Sequence, residues 1–101
     1  MYGLIGKMTS QPGKRDALIG LLLEGTEDMP GCLSYVIARD TGDDDAVWIT
    51  EVWQDEASHQ ASLQLPSVRE TIANAMPLIA GFEPGAITDP VGGVGLPSST
   101  D

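Results

Sequence analysis

Residues 30–53 read PGCLSYVIARDTGDDDAVWITEVW, and their reading decides the fold. A Pro-Gly start, the run Cys32–Arg39, a break at Asp40–Asp45 and the run Ala46–Trp53 describe two β-rich segments joined by a turn, hence an antiparallel hairpin. Because strand side chains alternate sides, Ala46, Trp48, Thr50 and Val52 share one face, while Val47, Ile49, Glu51 and Trp53 share the other. Both faces are mostly apolar. A half-solvated hairpin carries polar residues at every second position, so this one needs a cover on each side: helices on one, and on the other a second sheet, a partner subunit or a ligand cavity.

On the N-terminal side of the hairpin, Tyr2–Ser10 reads as a strand closed by Gln11-Pro12-Gly13. Lys14 to about Gly25 follows as a helix with Leu18, Leu21 and Leu22 along one side. Gly20 costs that helix roughly 0.5–1 kcal/mol relative to Ala, which a close helix–sheet contact would explain. On the C-terminal side, Asp55 caps a helix running to about Leu63 and puts His59 one turn beyond its start. Ser67 and Glu70 have capping-box spacing for another helix, which presents Val68, Ile72, Ala75 or Met76, and Ile79 until Pro77 ends it at Met76. Gly81 then releases the chain into a last strand, Phe82 to about Asp89, and residues 90–101 form a Gly-, Pro- and Ser-rich tail, flexible or packed on a partner. The order strand, helix, strand, strand, helical region, strand describes an α+β domain over residues 1–89: an antiparallel β-sheet with helices on one face. Its other face is bare in a lone chain, which predicts a homodimer and is compatible with a bound hydrophobic ligand in the same space.

At 101 residues the chain holds one hydrophobic core. Five basic against fifteen acidic residues give a net charge of −10, which argues against a nucleic-acid partner or an anionic membrane surface. No apolar run approaches the roughly 20 residues of a membrane span, and the start Met1–Lys7 lacks the pattern of a secretory leader, so a cytoplasmic location is expected. Cys32 is the single cysteine, which rules out an intrachain disulfide and a four-cysteine metal site; it reads as a small buried hydrophobe. No metal site is expected, because the chain has one histidine and no paired-His or Cys/His spacing.

His59 is the most informative ionisable residue. Either it exchanges or shares a proton with a phenolic substrate near neutral pH, or it is an ordinary helix-surface histidine. Glu51, flanked by Ile49 and Trp53 on its strand face, is a polar exception: a pair for Arg39 across the hairpin, or an acid or base inside a cavity. Tyr35, Trp48 and Trp53 suit the lining of a flat aromatic pocket or the packing of a core. Tyr35, Ile37 and Arg39 share a face, which puts a hydroxyl, an apolar floor and a cation in one row.

The segments Pro30-Gly31-Cys32-Leu33-Ser34-Tyr35 and Glu51-Val52-Trp53-Gln54-Asp55-Glu56-Ala57-Ser58-His59, in this order and separation, resemble the Gly-Cys-x-x-Tyr and Glu-x-Trp…Glu-Ala…His segments of the antibiotic biosynthesis monooxygenase superfamily. The likeness extends over roughly residues 2–89 and is strongest toward the small bacterial quinol-monooxygenase-like branch. It implies a ferredoxin-like α+β fold, paired through its sheets as a dimeric α+β barrel, with a pocket between sheet and helices. It also implies a cofactor-independent monooxygenase that oxidises a phenolic or quinol substrate with molecular oxygen as co-substrate. On that resemblance His59 and Glu51 are the catalytic candidates and Tyr35 and Trp53 substrate-binding ones; the aromatic and cationic side chains of the hairpin add Trp48 and Arg39 to the substrate-binding candidates. The rival readings are a non-catalytic dimeric protein binding a small aromatic molecule, a structural role, and a haem-degrading monooxygenase. The last is disfavoured because the Asn of that branch is absent from Tyr2–Ser10. Where the family carries an aromatic residue soon after the helix His, this chain has Leu63 and Leu65, which implies either a wider pocket or loss of the oxygenase activity.

Overall fold

The structure, a computed structural model, describes residues 1–97, so the last four residues of the expected tail lie outside the described residues. Its elements are β1 (Tyr2–Ser10), α1 (Arg15–Gly25), β2 (Cys32–Arg39), β3 (Ala46–Trp53), α2 (Glu56–Ser62), α3 (Pro66–Ala75), a single 3₁₀ turn (Met76–Leu78) and β4 (Ile79–Thr88). The strands form one antiparallel sheet in the order β2-β3-β1-β4.

The register follows from the two-sided pattern of the hairpin. Tyr35 lies opposite Glu51 and Ile37 opposite Ile49, while β1 sets Tyr2 against Trp53 and Leu4 against Glu51. These residues form the inner face. On α1, Leu18 and Leu22 are one helical turn apart and drop onto Val47 and Ile49, with Ala75 of α3 completing the cluster. Leu18 and Val47 are fully buried; each is worth about 1.5–3 kcal/mol of burial. A second cluster joins Met29, Trp53 and Val68 and lies next to the site described below. At Gly25 a side chain would run into Thr71, so the missing Cβ is what lets α1 and α3 approach. Gly20 has no such reason. A Cβ there would meet nothing, and the expected close contact with the sheet is not made.

Two local expectations need correction, at the start of α3 and the start of β4. The capping box at Ser67 and Glu70 does not form: α3 starts at Pro66, whose fixed φ suits the first helical position, with Leu65 as a cap residue that makes no side-chain bond. Pro77 ends α3 where expected: Ala75 is the last helical residue and Met76 its cap, and Pro77 sits inside the 3₁₀ turn that follows, where its lack of an N–H costs little. That turn delivers the chain directly into β4, which begins at Ile79, opposite Ser10, three residues earlier than expected.

The dimeric α+β barrel is overturned. The sheet is open, with β2 and β4 as its two edges, and four strands twisting by roughly 20–25° per neighbour do not bring one edge round to the other. The helices cover one face. On the opposite face Ile5, Val36 and Trp48 remain partly exposed, and Lys7 lies over the Trp48 ring, 5.4 Å from its centroid. Among the described residues, no helix is long and apolar enough to cross a membrane.

Candidate active site

Between the inner face of the sheet and α1, α2 and α3 lies a cavity of about 130 Å³. β3 contributes Glu51 and Trp53, two residues apart and therefore on the same side of the strand, and β2 contributes Tyr35 from the position opposite Glu51. α2 brings His59 and Ser62; Leu22, Met29 and Val68 form apolar wall.

The placement of α2 decides where His59 points. Asp55 caps the helix, its Oδ1 accepting the Ser58 backbone N–H at 2.7 Å, and these Ser58 hydrogen bonds hold its carboxyl below the ordinary range. From the other side, Gly31 turns the chain with φ of +82° and sits against Ser58, where a side chain would collide. The Gly31 carbonyl accepts the Gln54 N–H at 2.8 Å, so the start of β2 and the end of β3 are tied where α2 departs. His59 is then held by rings. Tyr2 lies 5.7 Å away at 34°, and Trp53 meets it edge-on at 5.4 Å.

Glu51 is the hub of the polar corner. Its Oε1 accepts the Trp53 indole N–H at 3.0 Å and lies 4.0 Å from His59 Nε2. The first distance is a hydrogen bond; the second is too long for one but short enough for electrostatic attraction to an imidazolium. Glu51 and His59 side chains keep only 18% and 17% of their exposure. His59 Nδ1 is buried with no hydrogen-bond partner. Burial first, and the charge of Glu51 second, push the Tyr35 phenol well above its ordinary value, so it stays a neutral hydroxyl at physiological pH. Cys32 is likewise pushed up by burial and donates weakly to the Ser34 carbonyl at 3.6 Å, the state of an inert thiol rather than a nucleophile.

The corner thus unites Tyr35, Glu51, Trp53 and His59. Trp48 lies elsewhere: on the outer sheet face its indole N–H donates to Asp40 Oδ2 at 2.8 Å. Arg39 is also outside the cavity. The register puts it opposite Val47, and its guanidinium binds Asp16 Oδ1 at 3.0 and 3.1 Å in place of the expected pair with Glu51. Sequence reading missed Tyr2 as a clamp on His59; its signal is the period-two placement of an aromatic at the head of a strand that pairs with Trp53.

Fold and site together define a small α+β protein with an aromatic-lined, acid-and-imidazole cavity under its helices. The chain belongs to the antibiotic biosynthesis monooxygenase family, whose model matches residues 1–74, a span that holds every residue lining the cavity. A solved structure from Chloroflexus aurantiacus, assigned to such monooxygenases, is 59% identical, covers 95% of this chain and 98% of its own, and superposes with a TM-score of 0.92. Another, from Bacteroides thetaiotaomicron, shares the fold at 17% identity, with 89% of each chain covered and a TM-score of 0.79. An uncharacterised protein of Synechocystis is 28% identical over 78 residues, 74% of this chain; the chain spans about half the length (53%) of this curated relative.

Proposed function

We propose that the chain is an oxygen-dependent monooxygenase that converts a phenol or quinol to a quinone in this cavity without an organic cofactor or metal. The single observation that supports it is the Glu51–Trp53–His59 arrangement, a carboxylate held by an indole and aimed at an imidazole inside an apolar chamber. Ground-state oxygen is a triplet, so the substrate must supply the first electron, and a phenolate does so far more readily than a phenol. His59 takes up or polarises the hydroxyl proton, the charge of Glu51 stabilises the imidazolium that results, and Tyr35 offers a neutral donor to the developing oxyanion. The helices and rings exclude water and fix the ring plane. The sum needs no outside reductant: a phenol with a free ring C–H plus one O₂ gives a quinone, which keeps one oxygen atom, and a water, which takes the other with the two substrate hydrogens; a quinol with a free ring C–H gives a hydroxyquinone and water by the same count.

In the cell the protein is cytoplasmic, and its copies pair as a homodimer that covers the exposed outer-face side chains Ile5, Val36 and Trp48. It does not use Trp48 or Arg39 for substrate. Oxygen uptake with a panel of phenols and hydroquinones, measured against the spontaneous rate and an anaerobic control, tests the chemistry. His59→Ala should slow the enzyme-dependent rate about 10²-fold or more. Absence of any uptake above the spontaneous rate across the panel refutes the reading, and binding without turnover marks a ligand-binding protein.

A further inference from the structure

The walls of the cavity say more about its ligand than the polar corner does. At about 130 Å³ it is slightly smaller than the roughly 150 Å³ engineered cavity that holds one benzene ring. Besides the Tyr35 phenol, three aliphatic hydroxyls line it, and each donates along its own helix: Thr26 to the Leu22 carbonyl at 2.6 Å, Ser62 to that of His59 at 2.6 Å and Thr71 to that of Ser67 at 2.8 Å. With these donors committed, a ligand oxygen finds its strongest partners at one end, among Tyr35, Glu51 and His59. Two further lining residues, Leu63 and Ile72, are 38% and 46% exposed, so the apolar lining continues from the chamber onto the protein surface.

We infer that the ligand is a single-ring phenol or quinol bearing an aliphatic chain: the ring fills the chamber with its oxygen toward Glu51 and His59, and the chain leaves across Leu63 and Ile72. A fused second ring has no room inside, whereas a flexible chain needs none. The half-exposed side chains at the edge then gain a partner, which an unsubstituted phenol does not offer. This rests on the phenolic reading above but concerns selection of the ligand rather than its oxidation.

Anaerobic titration followed by tryptophan fluorescence tests it, in a Trp48→Phe background so that Trp53 alone reports. The probes are phenol, 3-pentylphenol and 1-naphthol. The expected order is 3-pentylphenol at least about tenfold tighter than phenol, and 1-naphthol weaker than phenol although it is the more hydrophobic of the two, a reversal that simple partitioning does not produce. In Leu63→Ser/Ile72→Ser the ratio of phenol to 3-pentylphenol dissociation constants should collapse to about one or two; the ratio cancels any general loosening of the site. The inference is overturned if 1-naphthol binds as tightly as 3-pentylphenol, if the tail gain survives in the double variant, or if none of the probes binds. Selective binding without aerobic oxygen uptake sinks the oxygenase reading and leaves this one standing; uptake with naphthols equal to that with alkylphenols does the reverse.

Discussion

Replacing Trp53 by Phe removes one donor from the hub of the site while keeping an aromatic ring in place. Trp53 is 1% exposed, and its indole N–H donates to Glu51 Oε1 at 3.0 Å. A hydrogen bond to a charged group is worth about 1.5–3 kcal/mol, and the lower end applies because the Glu51 side chain keeps 18% exposure, so water partly replaces the lost donor. The smaller ring adds roughly 1–2 kcal/mol of lost packing. Trp53→Phe should therefore destabilise the fold by about 2.5–3.5 kcal/mol. In a Glu51→Met background no carboxylate remains to be left unpaired, and the same change should cost the packing part at most, because it also removes the buried indole N–H that Glu51→Met leaves without a partner. The coupling in the double-mutant cycle is then at least about 1.5 kcal/mol. Urea denaturation followed by far-UV circular dichroism, with m-values checked for constancy, measures all four corners of the cycle. A coupling below about 0.5 kcal/mol would mean that indole and carboxylate are not joined in solution, and the account of how Glu51 is held beside His59 would fail with it.

The raised Tyr35 phenol makes stability depend on alkaline pH. Between its unfolded value of 10.0 and the higher folded value, the unfolded chain has released a proton that the folded chain retains. Stability should be complete below pH 10 and fall as pH rises beyond it, by up to about 1.4 kcal/mol per pH unit. Tyr35→Phe should remove that component of the slope in chemical denaturation at pH 9–11.5, and an unchanged slope would refute it. Gly31→Ala forces a side chain into a left-handed turn and against Ser58, at a cost of about 2 kcal/mol read as a lower urea midpoint. Asp55→Ala removes the cap of α2 and should broaden the His59 imidazole NMR signals, whereas Asp55→Asn, which can still cap, should restore them.

Much of the architecture is legible in the chain because its signals are local. The bounds of β1, β2 and β3 follow from strand runs fenced by Gln11-Pro12-Gly13, Pro30-Gly31 and the Asp40–Asp45 break, and the Asp55 cap sets the start of α2. Where two local signals competed, spacing alone misled. Pro66 at the first helical position outweighed the Ser67–Glu70 box, and strand pairing with Ser10 drew β4 back to Ile79. The site was legible in part for a similar reason. Glu51 and Trp53 share a strand face by arithmetic, but the partner of Arg39 depends on register across the hairpin and on where α1 lays Asp16, neither of which the row Tyr35, Ile37, Arg39 contains.

By itself the sequence determined a strand–helix–strand–strand–helix–strand order and a hairpin needing cover on both faces, since alternation and capping act over a few residues. The tertiary structure alone decided that the sheet stays open, that Trp48 faces away from the chamber, and that Tyr2, Trp53 and Glu51 converge on His59. Those outcomes rest on contacts between residues about fifty positions apart or on different elements, whose geometry is set only when register and helix packing are fixed together.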